Sequence, residues 1–287
     1  MATFTNRATL SYNNSVTSSN IVTGEILEVL SVTKTAVVDT YRSNENVTYV
    51  ISIVNSGTLP YNGLVLTDDL GTYTFGDPAV TVTPLSYIDG SLLYYVNGAL
   101  TATPTVTSTP SLLTVSGINV PAGGNATLVY EVSVNEFAPL GTESSITNTV
   151  TVTGAGISTA VTANETITPE LSAFLTISKS LCPSTVVENG QITYTFVIQN
   201  YGNTEAVATD NAVVSDVFSP ILDPISVDFN GTPWNNGVNY NYDSTTGVFE
   251  SIAGQITVPA AVYTQDPVTG VWNVEPGVSV LRVTGTV

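Results

Sequence analysis

The sequence predicts an all-β protein: two tandem immunoglobulin-like antiparallel sandwiches, the second of them incomplete. Three observations predict it. Apolar and polar residues alternate with period two, as in Val47, Tyr49, Ile51 and Ile53 against Thr48 and Ser52, and no amphipathic helical run interrupts them. Asn-Gly pairs at 62–63, 97–98, 189–190, 230–231 and 236–237 punctuate the runs as turn signals. The third observation is an internal repeat. LSVTKTAVVDTYRSNENVTYVISIVNSG (30–57) matches LTISKSLCPSTVVENGQITYTFVIQNYG (175–202), with Lys34 on Lys179, Tyr49 on Tyr194, Asn55 on Asn200 and Gly57 on Gly202. All four share one offset, 179 − 34 = 145. After a three-residue insertion LVLTDDLG (64–71) falls on AVVSDVFS (212–219), which places Asp68 on Asp216. Several short strands per repeat, with polar turns between them, specify a sandwich.

In chain order this gives an N-terminal segment 1–27, a complete repeat 28–169, and a second repeat 170–287, with a short linker near Thr168-Pro169-Glu170. The first repeat closes with NVPAGGNATLVYEVSV and then ITNTVTVT at 146–153. The second reaches NVEPGVSVLRVTGTV and lacks the hairpin that would follow. FTNRATLS at 4–11 resembles that missing piece, and SSNIVTGEI (18–26) echoes TANETITPE (162–170), with Asn20 on Asn164. The expectation is a donor strand. Phe4, Asn6, Ala8 and Leu10 share one face of segment 1–27 and would complete the second sandwich of a neighbouring copy by β-strand addition. A linker of a few residues at ~3.3 Å each is too short to bring the segment to its own second repeat. Head-to-tail pairing of this kind is heterologous and yields open filaments unless the rotation closes a ring. The plain alternative is that 1–27 ends an upstream domain of a longer protein and that Val287 is a truncation.

Composition removes whole classes of function. The net charge is −18, from 23 acidic against five basic residues. A nucleic-acid partner needs clustered Lys and Arg, and none is expected; attraction to an anionic membrane is equally unexpected. There is no histidine, so Ser-His-Asp and Cys-His catalysis and His-based metal sites are out. The single Cys182 cannot form an intrachain disulfide and reads as a small core hydrophobe. No stretch is long enough to span a membrane, and MATFTNRATL does not read as a signal peptide. Asp68-Asp69 sit on opposite strand faces, a poor geometry for a glycosidase pair. Asp210, Asn211 and Asp228 form no spaced calcium loop. Trp234 and Trp272 read as packing residues rather than a carbohydrate platform.

Strand parity isolates three polar residues. Lys34 shares a face with Leu30 and Val32, and Lys179 with Leu175 and Ile177. Asp68 lies with Leu64 and Leu66, and Asp216 with Ala212 and Val214. Asn148 lies with Ile146, Val150 and Val152, and Asn6 with Phe4, Ala8 and Leu10. These are the only two lysines in the chain. Each completed sandwich would therefore hold one Lys, one Asp and one Asn facing inward. One reading is a buried Lys–Asp ion pair with a hydrogen-bonded Asn. Asn55 and Asn200 are rival carboxamides, but Asn-x-Gly at a strand end reads as a turn device.

The pattern K…VTYVISIVNSGTLPYNGLVLTDDL…ITNTVTVTG, repeated as Lys179…TYTFVIQNYG…VVSD, resembles the bacterial surface conserved-repeat family, the domain of unknown function eleven. The resemblance covers nearly the whole chain and implies extracellular, fibrous or wall-associated arrays. The missing hairpin of the second repeat departs from it. The Lys, Asp and Asn trio also resembles that of Gram-positive pilin and adhesin domains, where the resemblance implies an isopeptide bond. A lysine neutralised by burial attacks the Asn carboxamide, an aspartic acid shuttles the protons, and ammonia leaves, with no cofactor and no second enzyme. Carried over, Lys34 would join Asn148 with Asp68 as shuttle, and Lys179 would join Asn6 of a neighbouring subunit with Asp216 as shuttle. The expected protein is a homopolymeric, head-to-tail fibre subunit on a cell or spore surface, not an enzyme beyond its own crosslinking; an anchoring or capping protein is left open. The alternative is a wall-associated adhesin or stalk module that binds glycan or protein.

Overall fold

The computed structural model describes residues 2–287. All regular elements among them are strands, apart from one 3-10 turn at Ala208–Asp210. The chain divides into two compact units, residues 1–139 with 145–168 and residues 140–144 with 169–287. Each is described by itself.

The N-terminal segment is one long hairpin. β1 (Ala2–Asn6) pairs with β4 (Val22–Ile26), and β2 (Thr9–Tyr12) pairs with β3 (Ser15–Ser18). Its tip is Asn13-Asn14, both at positive φ (44° and 60°), the two-residue turn whose twist suits a hairpin. Between the two ladders, residues 7–8 face residues 19–21, so one strand carries an extra residue, a bulge that bends the ribbon. Here the Ala8 and Ser19 amides are held by Ser19 Oγ and the Ala8 carbonyl, each at 2.9 Å. Phe4 lies opposite Gly24 and Asn6 opposite Val22, which puts Phe4, Asn6, Val22 and Ile26 on one face and Thr3, Thr5, Thr23 and Glu25 on the other. A Cβ on Gly24 would meet the Phe4 ring at 2.5 Å, so the glycine is what lets the ring lie across the ladder. Taking Asn6 as the counterpart of Asn148 shifts one sequence alignment. Asn148 stands opposite Glu165 as Asn6 stands opposite Val22, so the offset is 165 − 22 = 143 and Asn20 falls on Ala163, one residue short of Asn164.

The first unit is a two-sheet sandwich. Its strands are β5 (Leu30–Ala36), β6 (Thr40–Tyr41), β7 (Asn46–Asn55), β8 (Tyr61–Asp68), β9 (Tyr73–Phe75), β10 (Val80–Val82), β11 (Leu85–Tyr87), β12 (Leu93–Val96), β13 (Ala99–Thr101), β14 (Thr105–Thr109), β15 (Leu112–Val120), β16 (Asn125–Val134), β17 (Ile146–Thr153) and β18 (Val161–Pro169). One sheet runs β13-β12-β16-β7-β5, with β11 also on β16; the other runs β14-β15-β8-β17-β18-β6; β9 and β10 make a small hairpin. Alternate residues of β7, β8, β15, β16 and β17 fill the space between the sheets, Tyr49, Ile51, Leu66, Val115, Leu128 and Val150 among them, all fully buried. Each such side chain contributes about 1.5–3 kcal/mol by leaving water. Asn62-Gly63 is not the turn its sequence suggests. It lies inside β8, where Gly63 takes φ 68° and the register against β15 slips.

The second unit repeats the first sheet and only half of the second. Its strands are β19 (Leu175–Cys182), β20 (Gln191–Asn200), β21 (Ser215–Val217), β22 (Ile225–Phe229), β23 (Thr232–Trp234), β24 (Tyr240–Asp243), β25 (Val248–Ser251), β26 (Val262–Gln265), β27 (Trp272–Glu275) and β28 (Gly277–Thr286). The sheet β19-β20-β28-β22-β23 reproduces β5-β7-β16-β12-β13 strand for strand, and β26–β27 is a separate hairpin. The facing sheet is β21-β25-β24, the counterpart of β8-β15-β14. Where β8 goes on to pair with β17, β21 has no second neighbour among the described strands. The consequence shows across the sandwich: β5 buries Leu30, Val32 and Lys34, whereas β19 is exposed from Thr176 to Cys182. Cys182 is exposed, not a core residue as its composition suggests, because it lies on this uncovered strand.

Candidate functional site

In the first unit the three polar residues come from both sheets. β5 carries Lys34 and β17 carries Asn148, and these two strands approach each other across the sandwich. Asp68 closes β8, opposite Val150 in the ladder with β17. Lys34 Nζ donates to Asp68 Oδ2 at 2.7 Å, and neither side chain touches solvent. Asp68 Oδ1 accepts from the Leu70 amide at 2.8 Å, and Oδ2 also accepts from the Tyr130 hydroxyl. The Lys34 ammonium lies 4.5 Å from the centre of the Tyr49 ring. Burial pulls the Lys34 pKa below the usual lysine value, against the opposing pull of Asp68. Burial pushes the Tyr130 phenol well up, and the Asp68 charge adds to that; the Tyr49 phenol is also pushed up, chiefly by burial.

Asn148 is the anomaly. It is fully buried, and neither Nδ2 nor Oδ1 has a hydrogen-bond partner. The Tyr49 hydroxyl lies close to the carboxamide without reaching hydrogen-bond geometry, and it too has no partner. An unsatisfied buried polar group costs about 1–3 kcal/mol, and such groups are rare in folded proteins. The rival carboxamides are the opposite case. Asn55 spans the Leu59 and Pro121 carbonyls and the Gly57 amide at 2.8–2.9 Å. Asn200 spans the Thr204 and Pro259 carbonyls and the Gly202 and Phe174 amides at 2.7–3.0 Å. Both are turn clamps: Asn200 fills all four hydrogen-bonding places of its carboxamide and Asn55 three. Asp69 points away from the trio and ties β17 to the turn through the Gly71 and Thr149 amides, both at 2.9 Å.

In the second unit Lys179 and Asp216 are again ion-paired, but in the open. Lys179 is 40% and Asp216 18% exposed. The ammonium lies 4.4 Å from the centre of the Tyr194 ring, as Lys34 does from Tyr49. A pair this exposed contributes about 0–1 kcal/mol. Beside it runs a groove between β19 and the stretch that leads into β21. Three hollows of about 490, 150 and 320 Å3 share lining residues such as Leu175, Ile177, Ala212 and Val214, and the last contains Lys179 and Asp216. Asn6 is not among these residues; it lies exposed on the N-terminal hairpin, as do Phe4, Ala8 and Leu10.

Other polar candidates have local roles. Asp210 holds the Val207 amide at the 3-10 turn, Asp228 faces Arg282 at 3.6 Å, and Trp234 stacks on Phe229 at 5.0 Å between ring centres. Tyr130 was missed as a site residue, although parity signals it: Leu128, Tyr130 and Val132 share the inward face of β16.

The fold defines a class, the tandem immunoglobulin-like β-sandwich. Several solved structures are similar to the chain. The major pilin BcpA of Bacillus cereus is 12% identical, with a TM-score of 0.37 over 96% of this chain and 73% of that one. The pilus backbone RrgB of Streptococcus pneumoniae is 12% identical, with a TM-score of 0.36 over 86% of this chain and 55% of that one. A C-terminal fragment of the major pilin GBS80 of Streptococcus agalactiae is 11% identical, with a TM-score of 0.36 over 87% and 91%. No protein-family model and no curated protein sequence matches the chain, so the conserved-repeat resemblance rests on its motifs.

Proposed function

We propose that the protein is the structural subunit of a self-assembling fibre on a cell or spore surface. The hairpin 1–27 of one copy fills the groove beside β21 of the next. One observation carries this reading. Among the described strands the second sheet of the second unit stops at β21, while the same chain holds a hairpin that pairs with no other strand and carries an apolar face with an asparagine at the matching place. An isolated two-stranded hairpin is marginal in water, and an open strand edge over an apolar groove is an aggregation hazard. Each feature supplies what the other lacks. By the register of the first unit, where Val150 faces Asp68, Ala8 would face Asp216 (150 − 142 = 8), and β4 would face residues 185–186, the counterpart of β6. Pairing is heterologous, so copies add head to tail into an open filament unless the rotation closes a ring.

The chemistry follows from the orphaned carboxamide. Lys34 passes a proton to Asp68 and its neutral amine attacks Asn148 Cγ; of the two protons the lysine nitrogen gives up, one passes through Asp68 to the departing nitrogen and the other stays on the Asp68 carboxyl. One C–N bond forms and one breaks. Lysine ammonium, carboxamide and carboxylate become amide, ammonia and carboxylic acid, with atoms and charge balanced. In the second unit Lys179 and Asp216 await Asn6 of the neighbour, and the hairpin that brings Asn6 also covers the lysine. Electron microscopy of the full-length protein tests the assembly. Filaments are expected, and none after removal of residues 1–27; intact chains that stay monomeric at high concentration would overturn the reading.

A further inference from the structure

One difference between the two units lies beside the aspartate. Tyr49 faces Tyr130 across the β7–β16 ladder, whereas its counterpart Tyr194 faces Val283 across β20–β28. Among the described residues, a phenol bonds the aspartate in the first unit and not in the second. We propose that Tyr130 is a positioning residue for the Lys34–Asn148 crosslink, holding the Asp68 carboxyl in place while that carboxyl gains and keeps a proton. The inference rests on the crosslinking reading above.

Three facts support it. Tyr130 is fully buried and its hydroxyl bonds the same oxygen, Oδ2, that receives the Lys34 hydrogen bond. A hydroxyl both donates and accepts, so it can serve Asp68 as carboxylate and then as acid without moving. Once Lys34 becomes an amide, Asp68 loses the one cation bonded to it and retains only Tyr130 and the Leu70 amide. A buried carboxyl stripped of its cation needs such neutral partners. In the free second unit Asp216 is partly exposed, so water can bond it before the hairpin docks.

The test is cell-free synthesis of the full chain, sampled over time by intact mass and peptide mapping. Tyr130→Phe should slow loss of the first ammonia by about tenfold, the effect of one hydrogen bond to a charged group. The Lys179–Asn6 linked peptide should form at the wild-type rate and serves as an internal control. Tyr41→Phe is the matched variant. It removes another buried phenol of the first unit, one that donates to the Pro139 carbonyl away from the trio, and should crosslink normally. Equal crosslinking rates for Tyr130→Phe and Tyr41→Phe would overturn the inference. So would a Tyr130→Phe chain whose first unit is digested by protease more readily than that of Asn148→Ala, since the hydroxyl would then serve folding alone. If the wild type loses no ammonia at Lys34, the crosslinking reading itself fails.

Discussion

Asn148 and Asn55 share a residue type and a buried strand position, yet they differ in kind. Asn55 ties both amide protons and its oxygen into a turn; Asn148 spends neither in the same dry core that buries Lys34. The inward face of each residue was legible from period-two parity. The identity of the spare carboxamide was not, because sequence does not show which turn consumes which amide. Two predictions belong to this scale. Lys34→Ala should restore one ammonia to the intact mass and lower the stability of the first unit; an unchanged mass would remove the bond. Tyr130, Tyr49 and Tyr41 are all held above the ordinary tyrosine value by burial. Folded protein keeps these protons when the unfolded chain has begun to lose them. Their contribution is thus full below pH ~10 and is lost as pH rises beyond it, by about 1.4 kcal/mol per pH unit per tyrosine. Melting curves of the first unit should be flat up to about pH 10 and fall above it, and Tyr41→Phe should make the fall shallower by roughly a third.

At the scale of elements, the free edge of β21 and the unpartnered hairpin are two halves of one problem. Replacing Phe4 and Leu10 together by Asp puts two charges where the groove needs apolar surface, at a cost of several kcal/mol. Filament yield should fall at least about tenfold while circular dichroism of the monomer stays unchanged. Retained filaments would show that this face does not enter the groove. The repeat, its four-residue anchor and the run of short strands are legible in the sequence. The bulge at residues 7–8 and 19–21 was not: nothing in RATL or SNIV marks an extra residue, and it shifts the second strand by one position. Asn62-Gly63 misled for a related reason. Positive φ serves a bulge within a strand as well as it serves a turn.

At the scale of the whole molecule, the charge of −18 makes copies repel one another. Assembly should therefore quicken as salt rises from low to about 0.1 M, where the screening length is about 10 Å. Light scattering that is independent of salt, or slowed by it, would contradict this. The central claim is that one copy's hairpin completes the next copy's second sandwich and is bonded there. Its most direct measurement uses filaments grown from equal parts of ordinary and nitrogen-15-labelled protein, boiled in detergent, digested and mapped by mass spectrometry. The account predicts a Lys179–Asn6 linked peptide in which half of the pairs are of mixed isotope, because donor and acceptor come from different chains. An unlinked Lys179, or linked peptides of a single isotope only, would contradict it.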